Sequence, residues 1–174
     1  MKALVFLATL CIATTTFAQQ TTELEPGKPQ AFNGIEFGYE IRNQQTKAVK
    51  DESYSRYEIT AYVSNKSGCT KIMFPRQTLL GEERQNQLAQ FDCLNATGKR
   101  LTSKGTLLAA RLFVVPYRQS VKNQEGKLVT TTTNVEAGHM LRNGETVTGN
   151  FIVIVPEGER PRVQVRVREM VEAF

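Results

Sequence analysis

His139 is the one histidine in the chain, so a general base working near neutral pH has to be this side chain or a carboxylate with a raised pKa. A hydrolytic triad would set such a base between a nucleophile and an orienting carboxylate. His139 instead sits in Glu136-Ala137-Gly138-His139-Met140, beside a turn-forming glycine, and no Gly-x-Ser-x-Gly elbow occurs in the sequence. A lone histidine in that setting is more often solvated or hydrogen-bonded than catalytic. Three carboxylate groupings, Asp51-Glu52, Glu82-Glu83 and Glu157 with Glu159, have the composition needed for acid and base in glycoside cleavage. Each lies in polar, turn-like sequence, where solvent keeps a carboxyl near its ordinary pKa, whereas a catalytic acid needs apolar surroundings. The chain has no tryptophan, which removes the flat platform that sugar sites often use. Tyr54, Tyr57, Tyr62 and Tyr117 are left for that purpose. No catalytic residue is assigned.

Binding chemistry is equally sparse. No calcium loop of the Asp-x-Asp-x-Asp-Gly kind, no histidine pair at helical spacing and no phosphate-cradling glycine loop occurs, so neither a metal nor a cofactor is expected. The densest charge is C-terminal, where Arg160, Arg162, Arg166 and Arg168 fall within nine positions and the last three share strand parity. Such a stripe suits a polyanion or a protein partner. The more economical reading is a strand kept soluble, and guarded against edge-to-edge pairing, by charge. Aromatic side chains are not interleaved with these arginines, so nucleic acid is not expected.

The cysteines point to a compartment. Lys2 followed by the apolar run Ala3 to Ala13 and by Thr16-Phe17-Ala18 reads as a signal peptide cleaved before Gln19, because the run is too short to span a bilayer as a helix. A lipoprotein signal at Cys11 is the competing reading, disfavoured by the bulky Leu10. Removal of residues 1–18 takes Cys11 away and leaves Cys69 and Cys93, an even pair in an oxidising space. A Cys69 to Cys93 disulfide is therefore expected, and it would stabilise the fold by about 3 kcal/mol on a chain-entropy argument. The remaining chain of 156 residues carries a formal charge of +4 and has the size of one domain. No later stretch has the length of a membrane helix, so none is expected.

Elements follow from periodicity. Residues 19–33 read as a polar lead-in interrupted by Pro26, Gly27 and Pro29, and a single domain is expected over 34–174. Ile35, Phe37, Tyr39 and Ile41 alternate with polar residues, as do Tyr57, Ile59, Ala61 and Val63, the period of half-buried strands. The stretch 43–53 between them reads as a charged loop. Asn65-Lys66-Ser67-Gly68 is a turn, after which Cys69 to Phe74 is expected to return beside the strand before it. Residues 77–94 fit a short helix or an irregular strand. Asn95 to Lys99 is a turn, and Leu107 to Val115 is a continuous apolar run ended by Pro116, expected to be a strand covered on both faces. The threonine-rich stretch Lys127 to Val135 is extended, with a hairpin at Asn123 to Gly126. Val147 to Val155 and Val163 to Val167 flank the turn cluster Pro156 to Pro161 and read as a paired hairpin.

Seven or eight short strands without a long amphipathic helix predict an all-β, antiparallel β-sandwich. The segment Leu141-Arg142-Asn143-Gly144-Glu145-Thr146-Val147, followed by a strand, Pro156 and a last strand, resembles the late-strand turn pattern of immunoglobulin-like sandwiches. Two glycosylation sequons, Asn65-Lys66-Ser67 and Asn95-Ala96-Thr97, fall in turns. The leader resembles those of Gram-negative exported proteins, so neither sequon is expected to be used. The function that survives is a secreted or periplasmic, non-catalytic binding or assembly module of the cell envelope. Its expected partner is another envelope protein or an extracellular macromolecule, met through loop 43–53, hairpin 116–127 or the arginine strand. The alternatives are a small carboxylate-dependent hydrolase and a binder of polyanions or lipid through the C-terminal arginines.

Overall fold

Apolar residues that recur at every second position build strands here, and each set turns to one side. The computed structural model describes residues 21–49, 52–74, 86–95, 97–98, 100–168 and 170–172, and among these there are twelve strands and no helix. They are β1 (Thr21–Leu24), β2 (Gln30–Phe32), β3 (Ile35–Val49), β4 (Glu52–Asn65), β5 (Lys71–Met73) and β6 (Gln87–Leu94), followed by β7 (Arg100–Ala109), β8 (Arg111–Lys122), β9 (Leu128–Leu141), β10 (Thr146–Pro156), β11 (Arg162–Val167) and β12 (Val171–Glu172). Antiparallel pairing joins them into three sheets, ordered β1-β11-β6-β7, β10-β4-β3-β2 and β12-β5-β9-β8.

The first two sheets share a core. Tyr57, Ile59, Ala61 and Val63 of β4 and Phe151, Val153 and Val155 of β10 are buried in one cluster with Leu88 and Phe91 of β6 and Val163 and Val165 of β11. Burying each of these larger side chains is worth about 1.5–3 kcal/mol. The valine alternation of the last long strand works as expected, Val163 and Val165 inward and Arg162 and Arg166 toward the surface.

Several pairings differ from the sequence expectation, each for a local reason. β10 and β11 are not a hairpin: β10 pairs with β4 in the second sheet, β11 with β6 and β1 in the first. Their connection, with Gly158 at φ +86°, arches over the end of the core. Tyr57 and Tyr39 hold it there, donating their hydroxyls to the carbonyls of Glu159 (3.0 Å) and Pro161 (3.5 Å). The apolar run 107–115 is likewise not one strand covered on both faces. It breaks at Ala110, whose N–H donates to Asn86 O at 2.8 Å, and there the chain leaves the first sheet for the third. Leu108 and Ala110 are buried, whereas Leu112, Val114 and Val115 are about 40% exposed. Pro116 does not end this strand but lies within β8.

The described part of the lead-in forms strands, β1 pairing with β11 and β2 with β3. Of the charged stretch 43–53, residues 43–49 and 52–53 continue β3 and β4 as a ribbon rather than forming a loop, with pairing from Asn43↔Glu58 to Val49↔Glu52, and residues 50–51 lie outside the described residues. β5 joins β9 and β12, not the neighbouring β4. Within 77–94, residues 87–94 form β6, while the leader 1–18 and residues 77–85 lie outside the described residues.

One buried amide joins the second sheet to the third. Asn65, at the end of β4, is fully buried. Its Nδ2 donates to the carbonyls of Cys69 (2.8 Å) and Leu141 (2.9 Å), and its Oδ1 accepts from the N–H (3.0 Å) and hydroxyl (2.7 Å) of Ser67. Two donors and two lone pairs are all that a carboxamide has. Its backbone is held as well, donating to Glu145 O (2.9 Å) and accepting from Gly144 N–H (2.8 Å). A fully satisfied buried polar group fixes geometry, and removing it strands the partners. The sequon nitrogen of Asn65 is thus committed to two carbonyls.

Replacing Asn65 takes the side-chain donor from the buried Leu141 carbonyl and one of two side-chain donors, the other being the Ser67 hydroxyl, from the half-buried Cys69 carbonyl. Asn65→Ala is expected to lower unfolding free energy by about 3 kcal/mol and Ser67→Ala by about 1 kcal/mol. Urea unfolding followed by circular dichroism reads both, and an Asn65→Ala midpoint equal to that of the parent contradicts the role given to this residue.

Candidate interaction arm

β8 and β9 are built to form a hairpin. Both are rich in β-branched residues, whose stiff χ1 favours the pleat. The turn closes through Asn123: its N–H donates to Lys127 O at 2.9 Å, its carbonyl accepts from Gly126 N–H at 2.9 Å, and its Oδ1 accepts from the N–H groups of Glu125 (3.1 Å) and Lys127 (2.9 Å). Gly126 supplies the left-handed conformation, φ +79°, that a three-residue hairpin loop demands. At the other end, register shifts by one residue between Phe113 and Val114. The bulge is fastened by Gly138 (φ +145°), where a Cβ would stand 2.4 Å from Met73 O, so the close approach of β5 requires glycine.

Between these two anchors none of the described residues covers the ribbon. From Val114 to Glu136 every residue is exposed, and ten residues of extended chain from base to turn reach roughly 30 Å. Paired residues share a face, so the register sorts the arm into two. On one face Val115 lies beside Val135 and Val121 beside Val129, with Tyr117 beside Thr133 and Gln119 beside Thr131 between those rows. No charge falls on it. The opposite face carries Arg118, Lys122 and Glu136 together with Val114, Pro116 and Leu128. Exposed aliphatic and aromatic side chains at this density, Tyr117 55% and Leu128 71% among them, make the arm the most apolar exposed element among the described residues.

The free edge of β8 is blunted. The Asn123 N–H points across the ribbon to Lys127 O, and alternation from that hydrogen-bonded pair makes Pro116↔Asn134 a non-hydrogen-bonded pair. The missing N–H of Pro116 therefore belongs to the row that faces away from β9. A proline in that position interrupts any strand that tries to add to the edge.

The residues singled out for chemistry are scattered. His139 lies on β9 at the base of the arm, opposite Leu112 and Met73. Its Nδ1 is buried, and no hydrogen-bond partner for it occurs among the described residues. Of the carboxylates, Glu52 and Glu157 are exposed, Glu159 is half-buried, and Asp51, Glu82 and Glu83 lie outside the described residues. Among the described residues no group of three or more His, Cys, Asp or Glu is placed to hold a metal ion, and no helix is long and apolar enough to cross a membrane. A cleft of about 380 Å³ on the outer face of the second sheet is lined by Arg42, Glu58, Thr60, Asn150 and Ile152. Its polar groups are engaged with one another or their neighbours: Arg42 pairs with Glu40 at 3.0 Å, Thr60 donates to Asn150 Oδ1 at 2.8 Å, and a hydrogen bond from Arg56 holds the Glu58 carboxyl below its ordinary pKa.

The arginine strand works within its own molecule. Arg162 grips Glu23 of β1 with both ends of its fork, Nε to Oε1 at 2.6 Å and Nη2 to Oε2 at 2.7 Å, which lowers the pKa of Glu23. Arg166 donates to Asp92 Oδ2 at 3.0 Å, where the carboxylate is buried and also accepts from Gln90 at 3.1 Å. Arg168 donates to Phe74 O at 3.3 Å. Arg160 is exposed in the arch. Of the other two contact regions named from sequence, the described residues of 43–53 continue β3 and β4 as a ribbon and 116–127 is the outer part of the arm.

The disulfide expectation is corrected. Cys69 and Cys93 are both free thiols. Cys93 is on β6 opposite Val163, fully buried in the core, and its thiol is pushed up to about 12 by that burial and then by the charge of Asp92. Cys69 sits in the β4–β5 connection, where Asn65 holds its carbonyl, and is half-buried. An even count and an oxidising space do not bring two sulfurs within bonding reach. Comparison of the chain with protein-family models, curated proteins and solved structures finds no match.

Alkylation of the native protein near neutral pH is expected to label Cys69 and spare Cys93, which reacts only after unfolding, because reactivity needs an accessible thiolate. Peptide mapping under non-reducing conditions checks this. A linked Cys69–Cys93 peptide contradicts the arrangement.

Proposed function

We propose that this chain is an exported, non-catalytic binding or assembly module of the cell envelope, an immunoglobulin-like β-sandwich from which a two-stranded arm reaches a macromolecular partner. The export part rests on the leader ending at Ala18 and the sandwich on two antiparallel sheets around one core. The observation that carries the binding role is the uncovered ribbon Val114–Glu136.

Two features support it. A lone two-stranded ribbon is marginal in water, because its apolar side chains gain little by pairing only with each other. Here such a ribbon is anchored at its base by the Gly138 bulge and the Asn65 joint, and it keeps valines and a tyrosine in solvent. Exposed apolar surface of this kind marks interaction sites. Its edge, moreover, is interrupted by Pro116, which limits indiscriminate strand addition while leaving the faces open. The arginine strand, with three of its four side chains donating to acceptors of the same chain, contributes stability in this reading.

A photo-crosslinking residue in place of Tyr117 tests the proposal in cells of the source organism. It is expected to give an adduct of one discrete mass, while the same residue in place of Thr148, on the outer face of the second sheet, gives none. No adduct from position 117, or equal adducts from both positions, contradicts the reading.

A further inference from the structure

We infer that the uncharged face of the arm pairs with the same face of a second copy of this chain, related by a two-fold axis through its centre. The inference rests on the reading of the arm as a binding element and names its occupant. A two-fold contact requires a self-complementary patch, in which residue i meets j and j meets i. The rows of this face meet that requirement. Valine pairs stand at both ends, Val115/Val135 toward the base and Val121/Val129 toward the turn. Laid antiparallel on its copy, each base pair meets the partner's turn pair, apolar on apolar. In the middle, Tyr117/Thr133 meets Gln119/Thr131, which brings a phenol hydroxyl to a carboxamide that can donate and accept.

Charge points the same way. Like charges oppose the pairing of identical surfaces, and here every charged side chain of the two strands between Val114 and Glu136 falls on the opposite face. Arg118, Lys122 and Glu136 stay in water when the uncharged faces close. Strand-to-strand pairing of two β8 edges is disfavoured by Pro116, which leaves face-to-face packing. A glutamine and two threonines in the centre make the face a poor match for lipid tails. Eight side chains a side make a contact at the small end of known interfaces, so the dimer should be weak, with dissociation in about the micromolar range.

Sedimentation equilibrium of the protein from about 1 to about 500 µM spans the range expected of a contact this small. The wild type is expected to shift from monomer to dimer. Val115→Glu and Val121→Lys are each expected to remain monomeric, with far-ultraviolet circular dichroism showing the parent fold. Mixed in equal amounts they should recover a dimer, because the carboxylate introduced on one copy then meets the ammonium introduced on the other. Arg118→Glu, on the opposite face, should change the dissociation constant by less than about threefold. A wild type monomeric throughout overturns the inference, as do single variants that dimerise like the parent, or a folded mixture that stays monomeric. The mass of the Tyr117 adduct separates this outcome from the broader one. An adduct of twice the chain mass supports pairing, an adduct of another mass with a monomeric protein overturns pairing and keeps the binding role, and no adduct removes both.

Discussion

A carboxamide buried with all its hydrogen bonds made inside the protein is the joint on which this architecture turns. Asn65 closes the last turn of β4, holds the carbonyl of Cys69 at the start of the path to β5, and holds Leu141 at the end of β9. Its backbone receives the turn that leads into β10. Side chain and backbone of one fully buried residue thereby hold together the end of β4, the β4–β5 connection, the end of β9 and the turn into β10. A hydrocarbon there would leave peptide groups stranded, and a charged residue would have to be desolvated. The third sheet can then extend well past the core and still hold a defined direction.

The rest of the molecule follows a simple division of labour. Packing between the first two sheets supplies the apolar burial, with Phe91, Val153, Val163 and Val165 among its fully buried side chains. Polar fasteners work where strands pass between sheets, the tyrosine hydroxyls under the β10–β11 arch and the Asn86–Ala110 hydrogen bond at the β7–β8 break, while the Arg166–Asp92 pair ties β11 to β6 within the first sheet. Such groups add little net energy when satisfied and cost a good deal when one partner is removed. Those at the two crossings specify which sheet the following strand enters.

Strand identity is legible in the sequence wherever one face is wet and the other dry. The alternations at 35–41, 57–63 and 163–167 all form strands with the expected side inward, and asparagine and glycine mark the turns at 65–68 and 123–126. The path between sheets is not legible. In Leu107 to Val115 the same kind of side chain faces the core at Leu108 and water at Val114, because composition records apolarity and not what lies opposite. Pro116 reads as a terminator, yet at a non-hydrogen-bonded edge position it costs the ladder nothing. Asn33-Gly34 is a two-residue hairpin signal between Phe32 and Ile35, present in the sequence but masked by the polar lead-in around it. Cysteine counting fails for a different reason, since parity constrains pairing only when geometry permits it. The arm itself is half visible: its outer hairpin reads as a contact region, while the apolar run at its base reads as core.

Residue-resolved amide hydrogen exchange on dilute protein tests most directly the central claim, a fixed joint carrying an uncovered arm. The account predicts that the side-chain amide protons of Asn65 persist with those of the core strands, while the outward-facing N–H groups of Arg118 and Ser120 on the free edge exchange at close to the rate of an open peptide. Rapid exchange at Asn65 together with protection at Arg118 and Ser120 would contradict it, placing the mobile element at the joint and a covering layer over the arm.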